Sequence, residues 1–168
     1  MRIHCDSSAF RRAIRIVATA LPDAAESSSQ VKLDQRGAVV VATATDGCAV
    51  VSTTFAATVT DPVGIAMPGP LVASIAATLP DDESECVITG ADASFDIVCG
   101  SRRYDVPRAA PLLFPLLSEF EPTARFSAPA AWFLRACKRA LKITGTAYQE
   151  ILVESDATGT IDVVATDA

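Results

Sequence analysis

Apolar residues near the start of the chain recur with the spacing of an amphipathic helix. Positions 10, 14, 17 and 21 are all apolar and fall at i, i+4, i+7 and i+11, which places them on one helical face. Pro22 follows directly and cannot continue a helix. The pattern predicts a helix over residues 9–21 that turns one face toward a core, with Phe10, Ile14, Val17 and Leu21 on it.

Short apolar stretches on either side of this helix predict β-strands. One precedes the helix at residues 2–5, and three follow it at residues 31–34, 38–43 and 48–54. The first two of those three are separated by Gln35-Arg36-Gly37, a connection of hairpin length that contains a glycine. The first segment is thus predicted to have the order strand, helix and three strands.

The same order begins again near residue 63. Residues 62–80 carry no charge and are long enough to suggest a membrane span, but four prolines and two glycines interrupt them. We therefore predict a strand and a helix there and no membrane partner. The helix ends in AATLPDD, where the first ends in ATALPDA. The predicted elements are a strand at 64–67, a helix at 70–79 and strands at 86–90, 95–99 and 103–107.

A proline-rich linker at residues 107–122 separates these two repeats from the start of a third. The third is predicted to have a strand at 125–128, a helix from 129 to about 144 and strands at 151–155 and 161–165, and it lacks the last strand. Two domains are therefore expected. Residues 1–120 hold repeats at about 1–60 and 61–108 and then the linker, and residues 121–168 hold the first half of a second such domain.

Composition sets broad limits on the kind of protein. Half of the 168 residues are apolar, so the chain can bury a core. The first residues have no apolar stretch with a small-residue cleavage site, which predicts a cytoplasmic protein without a secretory signal. The five cysteines are scattered and include no C-x-x-C pair, so they are expected to be reduced core residues. The net charge of −6, taken alone, argues against nucleic acid.

The distribution of charge changes that expectation. Seven of the 14 basic residues lie on two predicted helices, opposite the apolar faces, and neither helix contains Asp or Glu. Like charges at i and i+4 cost about 0.2–0.5 kcal/mol per pair, so two such faces indicate a polyanionic partner. The alternative is that both faces are simply solvated. The seven residues are Arg11, Arg12 and Arg15 on the first helix and Arg135, Lys138, Arg139 and Lys142 on the third.

Several segments, by their order and spacing, resemble the β subunit of bacterial DNA polymerase III, the sliding clamp. They are MRIHCDSSAF, TATDGCAVVS, LPDDESECVITGADASFDIVCGSRRYDVP, AAPLLFPLL, ARFSAP and IDVVATDA. The resemblance covers the whole chain but only the front part of a family member, which has three domains of two repeats each. It implies an α+β protein with the DNA clamp fold, in which β-α-β-β-β units place their helices on one face of antiparallel sheet.

The resemblance also implies a function. Clamps are rings that encircle duplex DNA, and basic residues on the helices that face the hole touch phosphates. The seven basic residues above are therefore expected to contact DNA without sequence preference, and Tyr148 is the candidate to replace the aromatic residues of a longer family loop. A full-length member forms a homodimer ring and binds DNA polymerase III and the clamp loader. Such a chain is a non-catalytic processivity factor, and polymerase or nucleotidyltransferase activity belongs to the enzyme it serves.

Departures from the family leave a second hypothesis open. The helix at 70–79 has no basic residue, the segment 23–31 lacks a basic residue and a Leu-Pro pair, and the loop at 144–151 is short. The family's peptide pocket and dimer contact require domains beyond residues 1–168. The chain is either an N-terminal part of a longer clamp, which the family favours, or a truncated clamp-like protein that does not encircle DNA and acts as a protein interaction module.

The residues predict no active site, no cofactor and no strong metal site. His4 and Cys5 are neighbours in a strand and point to opposite faces, so they cannot form a nucleophile–base pair. The acidic residues of 81–85 follow Pro80 and are predicted to form a solvated turn in which any metal binding is weak. No glycine-rich phosphate loop occurs. Trp132 and Phe133 are expected to pack in a core or between domains rather than stack on bases.

Overall fold

The computed structural model describes residues 2–21, 29–45, 49–60, 64–82, 84–90, 93–109, 126–143, 151–156 and 158–165. The chain divides into two compact units, residues 1–117 (unit 1) and residues 118–168 (unit 2). Residues 110–125, which include most of the linker predicted at 107–122, lie outside the described part, as does Tyr148.

Unit 1 repeats the order strand, helix and three strands, as the apolar pattern predicts. The two series are β1-α1-β2-β3-β4 and β6-α2-β7-β8-β9, and a short strand, β5, lies between them and was not predicted. A 3₁₀ turn over Ala18–Ala20 follows α1. The elements are β1 (Arg2–Asp6), α1 (Ser7–Val17), β2 (Gln30–Arg36), β3 (Val39–Thr45), β4 (Val50–Ala56), β5 (Thr58–Thr60), β6 (Ile65–Pro68), α2 (Gly69–Thr78), β7 (Glu85–Gly90), β8 (Ser94–Cys99) and β9 (Arg102–Pro107).

Two antiparallel sheets form unit 1, and each contains strands from both repeats. The strand order is β5-β1-β7-β8-β9 in one sheet and β4-β3-β2-β6 in the other. Strand β1 pairs with β7, where Arg2 lies opposite Thr89. Strand β6 pairs with β2, where Ile65 lies opposite Leu33. The first strand of each repeat therefore completes the sheet of the other repeat.

Helices α1 and α2 pack in the core and bury equivalent positions. In each helix the fourth, seventh and eighth residues are apolar and at most 6% exposed, because this spacing follows one face of an α-helix. The ring of Phe10 contacts that of Phe55, with centroids 6.0 Å apart, and so joins α1 to β4. The six buried helical residues are Phe10, Ala13 and Ile14 in α1 and Val72, Ile75 and Ala76 in α2.

The first turn of α1 is capped by the segment that follows α2. The Ser7 N–H donates to the carbonyl of Ser84 at 2.9 Å, and the Ser8 N–H donates to the carbonyl of Asp82 at 3.2 Å. The Ser7 hydroxyl donates to the carbonyl of Pro80 at 3.0 Å. Amide groups at a helix start have no partner within the helix, so these bonds fix the start of α1 against residues 80–84.

Unit 2 consists, in its described residues, of α3 (Ala130–Ala140) and an antiparallel pair, β10 (Leu152–Ser155) and β11 (Ile161–Val164). The helix ends near the predicted position, in a turn over residues 141–143. The strand predicted at 125–128 is wrong over residues 126–128, which have no strand assignment. No neighbouring strand in the described part of unit 2 pairs with them, and pairing is what defines a strand.

Two of the five cysteines depart from the expectation of reduced thiols. Cys86 and Cys99 lie opposite each other in the β7–β8 pair, with Cα atoms 4.3 Å apart, and form a disulfide. The prediction is wrong for this pair because hairpin register, which periodicity alone does not reveal, brings the two residues together. Among the described residues, Cys5 and Cys137 are free thiols, the first buried and the second half-buried, and Cys48 lies outside the described residues.

The two free thiols are expected to react at different rates. Burial, reinforced by the neighbouring Asp6 carboxylate, raises the pKa of Cys5 from 9.0 to about 12. At pH 8 the Cys5 thiolate should then be about 10³-fold scarcer than in the unfolded chain, so alkylation followed by peptide mass spectrometry should modify Cys137 well before Cys5. Because the folded pKa is raised, the contribution of Cys5 to the free energy of unfolding is complete below pH 9.0 and declines as the pH rises toward about 12.

Denaturation provides the control for this experiment. In urea both thiols should be alkylated at similar rates, because neither is buried. Equal rates for Cys5 and Cys137 in the native protein would contradict the buried position of Cys5.

The uncharged segment 62–80 forms β6 and α2 rather than a long helix, as predicted. Within the described ranges, no helix is long and apolar enough to cross a bilayer.

Candidate nucleic-acid interface

The outer face of α1 carries two exposed arginines whose guanidinium groups can bind a ligand. Arg12 and Arg15 are exposed, and with Ile16 and Thr19 they line a shallow surface groove. The Thr19 hydroxyl donates to the Ile16 carbonyl at 2.7 Å, which holds this side chain over the end of the helix. Neither arginine forms an ion pair with another described residue. The groove can therefore offer both guanidinium groups to an anion.

Arg11 is less available than the other two arginines of α1. Its Nη1 lies 3.5 Å from Oδ2 of Asp81, and its side chain is only 23% exposed. A single exposed carboxylate at this distance contributes little, at most about 1 kcal/mol. Arg11 can still reach a phosphate, but it must first leave Asp81.

All four basic residues of the α3 segment are exposed. Arg135, Lys138 and Arg139 lie within the helix, and Lys142 lies in the turn that follows, where its N–H donates to the Arg139 carbonyl at 3.2 Å. None of the four forms an ion pair within the described part of the chain. The predicted basic face is thus present and has no carboxylate partner there.

The basic residues of the two helices occupy equivalent positions. Both helices have 11 residues, and the sixth and ninth are basic in each, Arg12 and Arg15 in α1 and Arg135 and Lys138 in α3. In α2 the sixth and ninth residues are Ser74 and Ala77, both exposed and neutral. The neutral face predicted for the second helix is therefore present.

Helix electrostatics explain only some of these charges. Cations in the last turn offset the negative end of the helix dipole and stabilise it by about 0.3–1 kcal/mol. The helix dipole can account for the charges of Arg15, Lys138 and Arg139, because these residues lie in the last turns of their helices. It does not cover Arg12 and Arg135, which lie near the middle of their helices, so a purely structural role leaves these two unexplained.

Two residues that line the groove on α1, Ile16 and Thr19, were not predicted from the sequence as part of the site. Both follow a basic residue by four positions, which is the spacing that identifies neighbours on one helical face. The aromatic candidate, Tyr148, lies outside the described residues.

The acidic turn after α2 has structural partners. Asp81 pairs with Arg11, and Asp82 Oδ1 accepts a hydrogen bond from the Ser84 N–H at 3.1 Å. Hydrogen bonding from Ser84 lowers the pKa of Asp82. Glu85 pairs with His4, whose Nδ1 lies 2.8 Å from Oε1. Among the described residues, no group of three potential ligands is arranged to hold a metal ion.

Comparison with known proteins identifies the fold. No protein-family model matches the sequence, and no curated protein matches it. Solved structures do match. Caulobacter crescentus pol III beta is 20% identical with a TM-score of 0.85, and the match covers 99% of this chain and 48% of that chain. The DNA polymerase III subunit beta from Pseudomonas aeruginosa is 20% identical with a TM-score of 0.87, and the match covers 99% of this chain and 47% of that chain.

A third match carries a peptide. The Helicobacter pylori beta clamp bound to a DNA ligase peptide is 19% identical with a TM-score of 0.80, and the match covers 99% of this chain and 49% of that chain. The predicted α+β clamp fold is confirmed. The chain has the fold of a partial DNA polymerase III β clamp and spans about half the length of these structures.

Proposed function

We propose that this chain is an N-terminal portion of a DNA sliding clamp, and that α1 and α3 contact the phosphates of duplex DNA. The observation that carries the proposal is the recurrence of exposed basic residues, without ion-pair partners among the described residues, at the sixth and ninth positions of two helices. The likeness in fold to Caulobacter crescentus pol III beta supports the proposal.

Phosphate contacts suit a protein that slides. Arg and Lys that neutralise phosphates release condensed counterions, and this term is nearly independent of base sequence. Contacts to phosphate fix the position of a protein on the duplex but carry no base information. Arg12, Arg15 and the four cations of α3 would thus hold DNA without stopping it at a preferred site. The acidic remainder of the chain would repel DNA and confine binding to these faces.

The remaining parts of the proposal concern a longer assembly. We propose that the chain contributes to a homodimeric ring that encircles DNA in replication, in the cytoplasm, and tethers DNA polymerase III after a clamp loader has closed it. In this role it performs no catalysis itself. The matched clamps are about twice as long as this chain, which supports the view that further domains complete the ring.

The test is duplex binding as a function of salt. The 168-residue chain should bind fluorescent duplexes of unrelated sequence with equal affinity, with Kd of about 10⁻⁴–10⁻⁶ M. Six phosphate contacts predict that log K falls against log salt with a slope of about −5. Fluorescence anisotropy between 50 and 200 mM salt, roughly the range in which such contacts lose 10³-fold in affinity, measures both quantities. A flat salt dependence, or a preference for one sequence, would exclude the proposed phosphate contacts.

A second candidate function is an interaction module that keeps the clamp fold without encircling DNA. The neutral face of α2 favours it, because Ser74 and Ala77 stand where α1 and α3 carry cations, and Leu71 beside them is 39% exposed. This candidate predicts no duplex binding at about 100 mM salt, where the clamp candidate predicts clear binding. It also predicts a stable protein complex that a Leu71→Glu substitution weakens.

A further inference from the structure

Arg11 differs from the other cations of α1 and α3 in having an acidic partner among the described residues. Its Nη1 lies 3.5 Å from Oδ2 of Asp81, and its side chain is 23% exposed, whereas that of Asp81 is 78% exposed. The Nε of Arg11 is buried and has no hydrogen-bond partner within the described ranges. The groove on the same helix is lined by Arg12 and Arg15 but not by Arg11. The Arg11 guanidinium is therefore held at Asp81 rather than offered at the groove.

The backbone places Asp81 beside α1 independently of this ion pair. Hydrogen bonds from the first turn of α1 to the carbonyls of Pro80, Asp82 and Ser84 hold the chain on both sides of Asp81. Because the backbone at Asp81 is already ordered, the ion pair costs only the side-chain freedom of its two members. Asp81 is thus kept next to Arg11 by the fold itself.

A purely structural role for Asp81 is the alternative. Arg11 and Arg15 are spaced i and i+4, so a carboxylate at Arg11 offsets their mutual repulsion. The first turn of α1 contains no acidic residue, and a carboxylate near this positive end of the helix dipole is stabilising. Both effects act on the stability of unit 1. Only a role in binding predicts that removal of the carboxylate changes the number of phosphates that α1 contacts.

We propose that Asp81 competes with DNA phosphate for Arg11 and thereby limits the affinity of α1 for the duplex. This role rests on the proposed function, since it presumes that α1 contacts phosphate. Carboxylate and phosphate oxygens accept the same charge-assisted hydrogen bonds from a guanidinium group, so each excludes the other. Arg11 stays with Asp81 while Arg12, Arg15 and the four cations of α3 contact DNA, and loss of the carboxylate releases Arg11 as a seventh contact.

Duplex binding by two charge-matched variants of the 168-residue chain tests this role. Asp81→Asn and Asp105→Asn each change the net charge from −6 to −5. Asp105 is exposed on β9 and forms no ion pair with a described residue. We expect Asp81→Asn to strengthen binding about five-fold at 0.1 M salt and to steepen the slope of log K against log salt from about −5 to about −6. Asp105→Asn should leave the slope at about −5.

Chemical modification measures the availability of Arg11 without DNA. Phenylglyoxal reacts with guanidinium groups, and peptide mass spectrometry identifies the modified arginine. Asp81→Asn should raise the modification rate of Arg11 by about two- to five-fold, because it removes a weak ion pair, and Asp105→Asn should leave that rate unchanged. In an Arg11→Gln background, Asp81→Asn and Asp105→Asn should have equal effects on duplex affinity and on the salt slope.

The outcomes separate this role of Asp81 from the proposed function. An unsubstituted chain without salt-dependent duplex binding overturns both. If the unsubstituted chain binds with a slope of about −5 and the two Asp→Asn variants behave alike, the competition is overturned and the proposed function stands. The same holds if Asp81→Asn leaves the modification rate of Arg11 unchanged, or if its gain in affinity persists in the Arg11→Gln background, where only general repulsion has been reduced.

Discussion

Removing the cations of α3 is expected to lower duplex affinity by about 10³-fold at 0.1 M salt, because four lost phosphate contacts each reduce the salt slope by about 0.9. The variant carries Arg135→Gln, Lys138→Gln, Arg139→Gln and Lys142→Gln. All four side chains are exposed, so their replacement by glutamine should not disturb the fold. Anisotropy titrations at several salt concentrations measure the affinity and the slope of the unsubstituted chain, and the variant should show no saturable binding at about 0.1 M salt and measurable binding only at lower salt.

A control variant with the same net charge distinguishes the loss of phosphate contacts from a general increase in repulsion between the protein and DNA. Arg2→Gln, Arg36→Gln, Arg102→Gln and Arg103→Gln together remove four exposed cations from strands, so both variants change the net charge from −6 to −10. The strand variant should keep most of the affinity and the original slope. If both variants lost affinity equally, the effect would come from net charge, and α3 would have no special role.

The substitution Ile14→Ala is expected to destabilise unit 1 by about 2–5 kcal/mol, the usual cost of deleting most of a buried isoleucine side chain. Ile14 is fully buried between α1 and the sheets, so its loss removes apolar contacts and leaves a cavity. A domain of this size has only about 5–15 kcal/mol of stability, so the midpoint of urea unfolding should fall markedly.

Ile16 provides a matched control on the same helix. It is 42% exposed and lies in the α1 groove, two residues from Ile14. Ile16→Ala should change the free energy of unfolding by less than about 0.5 kcal/mol. Equal losses at both positions would mean that α1 is not oriented with Ile14 toward the core. Since Arg12 and Arg15 depend on that orientation, their exposure would then also need revision.

Local periodicity was enough to predict the helices, most strands and the exposure of six of the seven basic residues, all except Arg11. The i, i+4, i+7 spacing of Phe10, Ile14 and Val17 decides which face is buried, and the opposite face must then be solvated. A turn containing Gly37 was also recognisable, and Gly37 adopts a φ of 61° that favours glycine. The turn is shorter than predicted, because Gln35 and Arg36 pair with β3 as part of β2. These features depend on residues that are close in sequence.

Features that depend on distant residues could not be predicted in the same way. Asp81 reaches Arg11 only because the segment after α2 caps the start of α1. Cys86 and Cys99 meet through hairpin register, and a shift of one residue would have turned them apart. Strand β5 has three residues and no distinct apolar pattern. The exchange of first strands between repeats has no signature in periodicity, since periodicity assigns a residue to a face but not a strand to a neighbour.

That exchange has a consequence for synthesis on the ribosome. Strand β1 is made first, yet one of its two neighbours, β7, is some 80 residues later in the chain, as the pairing of Ile3 with Ile88 shows. The first 60 residues therefore cannot complete a sheet while they emerge, and loop closure over this distance is slow compared with closing a hairpin. At about 5–20 residues per second, the nascent chain spends several seconds with the edge of β1 open. Unit 1 should thus fold in one late step, after β7 has left the exit tunnel.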